Sequence, residues 1–414
     1  MTSEYPKYRE SDIKWVDRIP AHWQTAPLLS VLEESKALNT GMAENNLLSL
    51  SYGRIVRKDI EGNEGLLPES FETYQIVEPD YLVFRLTDLQ NDQRSLRSAR
   101  VTERGIITSA YTSTRPKGID PRYAEYLMRS YDTTKVFYGL GGGVRQSLTF
   151  SVVARIPVLL PSVSEQHAIG AYLDRETARI ETLIVEQQRL VAMLRERRTA
   201  TVSWVLARGL DASVPLKPSG VEALGEVPED WRVVPTRYLC TIATGGEDSG
   251  NATDDGEFPF YVRGREILRI GKFSFDCEAV MTPGDGQGGV GKVFHYANGR
   301  FEAHQRVYIF KDFKGLDGRY FYYYLSTFLA PVALAGNNKV TMESLRRPML
   351  AELRVALPPL DQQQHIVAHL EEQTSKIDAL IAESERFIEL SRERRSALIT
   401  AAVTGQIDVR GEVA

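Results

Sequence analysis

The sequence predicts an α+β protein: two mixed α/β modules with β content, joined by two long helices that form an antiparallel coiled coil, the whole a pseudo-twofold tandem duplication. Three observations lead there. Short motifs occur twice in the same order. Runs of aromatic and β-branched residues, broken by glycine clusters, read as strands and turns. A charged stretch ending each copy carries an apolar stripe at helical spacing.

The repetition is explicit. Arg18-Ile19-Pro20-Ala21-His22-Trp23 returns as Glu226-Val227-Pro228-Glu229-Asp230-Trp231, 208 residues later (231 − 23). A second set of matches holds at 197: Gly118-Ile119-Asp120-Pro121-Arg122-Tyr123 with Gly315-Leu316-Asp317-Gly318-Arg319-Tyr320, then Tyr126 with Tyr323, Ser147-Leu148 with Ser344-Leu345, Leu160-Pro161 with Leu357-Pro358, and Arg195-Glu196-Arg197-Arg198 with Arg392-Glu393-Arg394-Arg395. The second copy is therefore shorter by 11 (208 − 197) between its Trp and its Gly-x-Asp motif. The variable parts are internal to each copy.

Strands are expected at Tyr81-Leu82-Val83-Phe84 and Arg306-Val307-Tyr308-Ile309-Phe310. The helices follow a proline turn in each copy. Ile169, Leu173, Ile180, Ile184, Val191, Leu194, Val202 and Val205 make one narrow stripe, and Ile366, Leu370, Ile377, Ile381, Ile388 and Ile399 make the other. Ser164 and Asp361 read as N-caps, and Gly209 and Gly405 as stops. A rod of about 60 Å follows from about 43 residues. The division expected is a first module at 1–163, a helix at 164–211, a second module at 212–360 and a helix at 361–414.

Composition excludes several classes. No window of eighteen apolar residues marks a membrane span, and the first residues have no secretory core. Two cysteines, Cys240 and Cys277, are too few for a disulfide scaffold or a cysteine zinc cluster and fit a reducing cytoplasm. The net charge of −5 hides two basic stretches. Arg85–Arg155 holds twelve Lys/Arg against six Asp/Glu, and Phe258–Arg347 thirteen against eight. Such local excess suits phosphate contact.

Apparent catalytic motifs fail. Gly286-Gln287-Gly288-Gly289-Val290-Gly291-Lys292 resembles a phosphate-binding loop, but Val293 stands where a Ser/Thr should hold magnesium, and a strand-like run follows. His365 and His369 have ligand spacing without an adjacent Glu base. Asp312-Phe313-Lys314 lacks a second acidic ligand. Leu357-Pro358-Pro359-Leu360 lacks the Asn/Asp and aromatic residues of an amino-methyltransferase. No catalytic or metal-binding residue is expected, and the chain reads as non-catalytic. A stand-alone P-loop-like nucleotide hydrolase and a structural coiled-coil scaffold remain the alternatives.

The order of these parts resembles the specificity subunits of type I restriction–modification systems. The likeness rests on Ile19-Pro20-x-x-Trp23 and Val227-Pro228-x-x-Trp231. It rests also on the junctions Leu160-Pro161-Ser162-Val163-Ser164-Glu165-Gln166 and Leu357-Pro358-Pro359-Leu360-Asp361-Gln362-Gln363, and on the late Arg-Glu-Arg-Arg runs. Gln362 stands where the first copy has Glu165. The resemblance implies two target-recognition domains, each reading half of a split, asymmetric site in double-stranded DNA. It implies two methyltransferase (modification) subunits bound along the helices and restriction/translocase subunits beyond them. S-adenosylmethionine, ATP and Mg2+ would sit on those partners, with no cofactor on this chain.

Base reading needs forked or amide side chains at groove edges. The loops 139–147 and 336–344 occupy equivalent places and differ in the middle, which makes Arg145, Gln146, Ser147, Asn337, Asn338 and Lys339 candidates. Arg263, Arg265, Gln305, Tyr111 and Thr112 are further ones. The first helix, Ser164 to Asp211, balances seven Lys/Arg with seven Asp/Glu, a surface suited to protein. Arg195, Arg197, Arg198, Arg392, Arg394 and Arg395 are its candidate partner contacts.

Overall fold

The computed structural model describes residues 4–58, 70–89, 96–140, 148–285, 291–335 and 345–412. The chain divides into two compact units, one of Met1–Gln187 with Arg386–Ala414 and one of Gln188–Glu385. Each unit holds one mixed module and a segment of each long helix.

In the first unit, strands β1 (Leu32–Ser35), β2 (Leu82–Phe84), β3 (Ser98–Arg100) and β4 (Thr112–Pro116) make an antiparallel sheet in the order β1-β4-β2-β3. Helix Pro121–Thr133 buries Tyr123, Leu127, Met128 and Tyr131 in the core that also takes Leu82 and Phe84. The second unit holds a six-stranded sheet of β5 (Thr241–Thr244), β6 (Phe258–Tyr261), β7 (Ile267–Ile270), β8 (Phe275–Pro283), β9 (His295–Ala303) and β10 (Val307–Lys311). Their order is β5-β10-β8-β9-β6-β7, and only β6 and β9 run parallel. Each long strand-like run therefore became a strand.

Strand register extends the duplication beyond what the motifs reach. Ser113 on β4 lies between Ser35 on β1 and Val83 on β2. Tyr308 on β10 lies between Thr244 on β5 and Thr282 on β8. Face by face, Thr112 and Thr114, paired with Phe84 and Leu82 of the helix-side core, correspond to Tyr308 and Phe310, so the central strands match at 196 (308 − 112), one fewer than the motif offset.

The repeated motifs are the scaffold. Asp120 caps its helix by accepting from the N–H groups of Arg122 and Tyr123, and Asp317 does the same for Arg319 and Tyr320. Gln166, buried, accepts the Asp120 N–H and donates to the Pro161 carbonyl; Gln363 accepts the Asp317 N–H and donates to that of Pro358. Tyr123 donates to the Leu159 carbonyl and Tyr320 to that of Ala356. Buried backbone groups need partners, so these side chains lock the module onto the proline turn.

The helices run Val163–Arg208, 46 residues, and Leu360–Val403, 44 residues. The first starts one residue earlier than the sequence suggested, so Ser164 is helical rather than a cap. Ser162 caps instead: its hydroxyl accepts the Glu165 N–H at 3.3 Å while Glu165 accepts the Ser162 N–H at 3.2 Å, a capping box. Asp361 likewise falls inside the first turn, where its charge still favours the helix dipole. Gly209 and Gly405 end the helices with φ of +76° and +73°.

All the expected stripe residues are buried except Ile381, which is half-buried; Ser384 takes a buried place beside it. Within the first unit Ile180 and Ile184 pack with Ile388, and Glu181 pairs with Arg395. Within the second, Arg195 pairs with Glu385 and Arg198 with Asp378. In both sets the partner number falls as the first rises, so the segments run antiparallel in each unit.

The opening Pro-x-x-Trp motifs tie these ends together. Trp23 donates to Glu165 at 3.4 Å, at the start of the first helix, and packs on Gly405, just past the end of the second. Trp231 donates to Gln362 at 3.1 Å and packs on Gly209. The Glu/Gln exchange between copies keeps the acceptor oxygen.

Candidate nucleic-acid interface

Of the described candidates, Arg263 and Gln305 share one corner of the second module, Arg265 faces a separate cleft, and Tyr111 and Thr112 lie in the first module. In the first module Tyr111 stands just before β4, half-buried, with its hydroxyl 3.3 Å from that of Ser49 and its carbonyl accepting from Gln75. It lines an open cleft of about 440 Å³ with Ser49, Lys58, Arg85, Thr87 and Thr108. Lys58 and Arg85 make no ion pair among the described residues, so the cleft presents free positive charge. Sequence reasoning missed both, although Arg85 opens the basic stretch. Thr112 is on β4 itself, facing Phe84 across the register.

At the register offset of 196, Ala110 corresponds to Arg306 and Tyr111 to Val307. The same corner of the second module is therefore built from different side chains. Arg306 lies 2.6 Å from Asp285, which also meets Arg263 at 3.7 Å. Gln305 is exposed beside them, its N–H donating to the Glu247 carbonyl. His304 is buried below and accepts the Arg306 N–H; burial, reinforced by Arg263 and Arg306, holds its pKa below the ordinary histidine value. The imidazole is neutral at physiological pH, and the charge of the corner rests on the two arginines.

Arg263 and Arg265 occupy the exposed bend between β6 and β7. His295 Nε2 hydrogen-bonds the Gly264 carbonyl at 3.0 Å and holds that bend, its own pKa lowered first by burial. Arg265 points to a separate cleft, with Lys292.

Arg145, Gln146, Ser147, Asn337, Asn338 and Lys339 lie outside the described residues, as do Gly286–Val290 of the phosphate-loop-like run. The residues that follow the two candidate segments are described. The Leu148 N–H donates to the Leu86 carbonyl and the Leu345 N–H to that of Gly284, both at 2.8 Å. Leu86 is the neighbour of Arg85 and Thr87; Gly284 is the neighbour of Asp285. Each segment thus rejoins the fold beside the corner that carries Tyr111 or Arg306.

The helix arginines divide. Arg195, Arg198 and Arg395 are engaged in ion pairs between helix segments of their own unit. Arg197, Arg392 and Arg394 are exposed and make no ion pair among the described residues. Exposed apolar side chains accompany them: Leu183, Val185, Phe387 and Leu390 in the first unit, Leu190, Met193, Trp204 and Leu380 in the second. Among the described residues no group of three His, Cys, Asp or Glu could hold a metal, and no helix is long and apolar enough to cross a membrane. Gly291 and Lys292 lead into strand β9 rather than a helix, unlike a phosphate-binding loop.

A frame written twice, with a different side-chain set on the same corner of each copy, defines a two-module recognition protein. Residues 228–389 match the family model described as the type I restriction modification DNA specificity domain. The Escherichia coli type I restriction enzyme EcoDI specificity subunit is 26% identical over 183 residues, covering 44% of this chain and 40% of that protein. The putative type I restriction enzyme MjaX specificity subunit of Methanocaldococcus jannaschii is 21% identical over 440 residues, covering 97% of this chain and 98% of that one. Among solved structures, a chain from work on complex assembly and conformational transition of the type I R-M system superposes with a TM-score of 0.72 at 18% identity, covering 94% of this chain and 99% of that chain. The HsdS subunit from Thermoanaerobacter tengcongensis gives 0.53 at 15%, covering 94% and 98%. Residues 228–389 thus carry the likeness to the specificity domain, and the chain as a whole is similar to the specificity subunits of type I restriction–modification systems.

Proposed function

We propose that this chain recognises a bipartite, asymmetric site in double-stranded DNA, each module reading one half, and directs methyltransferase and restriction/translocase subunits to it. It does so without chemistry of its own; S-adenosylmethionine, ATP and Mg2+ act on the partners, in the cytoplasm. The observation that carries this reading is the constancy of the frame against the difference of the corners. Asp120/Asp317, Gln166/Gln363 and Trp23/Trp231 do the same work in each copy, while the corner before the central strand carries Tyr111, Lys58 and Arg85 in the first module and Arg306, Gln305 and Arg263 in the second. Two different reading surfaces give a site without twofold symmetry. The division of labour follows the chemistry: lysine and arginine hold phosphates, and Gln305, like the amides Asn337 and Asn338, can read base edges.

The helices are the surface for the two methyltransferase subunits. Each unit offers exposed cationic and apolar side chains of the kind protein interfaces use: Arg392 and Arg394 with Leu183, Phe387 and Leu390 in the first, Arg197 with Met193 in the second.

The test is to assemble the chain with a methyltransferase partner and sequence the methylated positions. Arg263→Ala with Arg306→Ala, and separately Asn337→Ala with Asn338→Ala, should relax preference in one half-site only, by about 1–3 kcal/mol for each base pair no longer read. Relaxation spread over both halves, or an unchanged site, rejects the assignment of one corner to one half-site.

A further inference from the structure

The second unit has a cleft of about 670 Å³ between its module and the end of the first long helix, lined by Arg198, Arg265, Lys292, Phe294, Tyr322 and Tyr323. The first unit has the corresponding cleft, and the offset of 197 identifies its parts. Arg395 stands for Arg198, Tyr126 for Tyr323, Ile399 for Val202, and Glu125 for Tyr322.

The two clefts treat their cations differently. In the first, every arginine has a carboxylate partner: Arg54 and Arg395 meet Glu181, Arg100 meets Glu125 and Asp80, and Arg129 meets Glu125. Such a cleft is closed by its own charges. In the second, Arg198 meets Asp378, the counterpart of Glu181, at 2.8 Å. Arg265 and Lys292 meet no carboxylate among the described residues, and the counterpart of Glu125 is the uncharged Tyr322. No acidic side chain lines this cleft among the described residues.

We propose that the second cleft is a seat for a nucleotide unit, with Arg265 and Lys292 on its phosphate and the exposed faces of Tyr322, Tyr323 or Phe294 beside its base. Two free cations need an anion, and the Thr327 hydroxyl lies in the same lining, those of Thr199 and Ser326 already donating to the carbonyls of Arg195 and Tyr323. Aromatic rings next to cations are what a phosphate-linked base requires and a free inorganic anion does not. The bend that carries Arg265 is already held by the His295–Gly264 hydrogen bond, so the site is partly formed before ligand arrives. The nucleotide unit belongs either to the DNA backbone, an extension of the function proposed above, or to a free nucleotide.

The experiment uses the full chain and two variants. Arg265→Gln with Lys292→Gln removes the cations. Tyr322→Glu leaves them and restores the carboxylate that the first cleft has in Glu125. Binding to a 30-base-pair duplex is followed against salt, and dAMP is titrated separately; thermal melts show that each variant is folded. If the seat holds duplex DNA, the double variant lowers the salt slope by about two and Tyr322→Glu lowers it in the same direction, with no dAMP binding. If it holds a free nucleotide, dAMP binds the unaltered chain and both variants weaken it at least tenfold. A duplex slope and a dAMP affinity that both variants leave unchanged overturn the seat. The proposal of DNA recognition stands in that case provided the unaltered chain binds duplex. A chain that binds no duplex defeats that reading instead, and the dAMP arm then decides the seat alone.

Discussion

A side chain on Gly209 would begin 3.1 Å from the indole of Trp231, closer than nearly all real contacts of a β-carbon. Gly209 ends the first helix in a left-handed conformation, so the ring seals a turn that only glycine makes without strain. Its counterpart Gly405 is tighter still, against the ring of Pro20 and 3.2 Å from Trp23.

Replacing either glycine by alanine should therefore destabilise its own unit. Gly209→Ala is expected to cost about 1–2 kcal/mol, from the backbone conformation and a small shift of the indole. Gly405→Ala should cost more, because a proline ring fixed in the Arg18–Pro20 strand cannot swing aside. Denaturant melts rank the two. Equal stability of both variants and the original chain would show that the turns tolerate a β-carbon.

Asp132 gives a pH signature. Its carboxylate accepts the Arg97 N–H in a buried site, while Oδ1 has no hydrogen-bond partner. Burial pushes its pKa up to about 6, against the pull of the Arg97 N–H and nearby Arg129. A folded pKa above the unfolded value means the native state binds more protons between about pH 4 and 6, so this group lowers stability as pH rises through that window. The effect is at most about 3 kcal/mol. Asp132→Asn keeps an acceptor and loses the titration. The variant should gain stability over the original chain from pH 4 to pH 7, and a difference that is flat with pH would remove Asp132 from the account.

The free helix arginines should matter to partners more than the engaged ones. Reversing Arg197, Arg392 and Arg394 to glutamate leaves the ion pairs of Arg195, Arg198 and Arg395 in place, so the helices should keep their melting behaviour. Co-purification with a methyltransferase subunit should fall at least tenfold while binding of the chain to duplex changes little. Undiminished co-purification would place the partner surface elsewhere.

Much of this was legible in the sequence because the duplication supplied its own control. Trp23/Trp231, Gln166/Gln363 and Tyr123/Tyr320 repeat because each satisfies a specific buried group, and the stripe from Ile169 to Val205 repeats because neither helix can bury it alone. The correspondence of Ala110 with Arg306 was not legible. It holds at 196 rather than 197, and only non-local strand pairing, Thr112 with Phe84 and Tyr308 with Thr282, reveals it. Arg85 was hidden for the same reason: nothing local says that β2 ends beside the residue preceding β4. The caps were misplaced by a residue or two because Ser162, Ser164 and Asp361 are all competent, and the Glu165 partner that decides for Ser162 also serves Trp23.

The last prediction concerns the length of the helices. Each runs without a break through the point where the two units divide, at Gln187 in the first and Glu385 in the second. No loop lies there to absorb an added residue. Inserting four residues in both helices, near Gln187 and Ser384, adds roughly one turn and about 6 Å of rise to each, and keeps the stripe of each segment on nearly its original face. Because neither module is touched, each half-site should be read as before. The spacing between the half-sites, read from the methylated positions of the assembled complex, should lengthen by one or two base pairs, since duplex rises about 3.4 Å per base pair. An insertion in one helix alone should instead misalign the antiparallel seam, separating pairs such as Arg198–Asp378, and reduce assembly. A folded, assembled double insertion that methylates the original spacing would show that the helices do not set it.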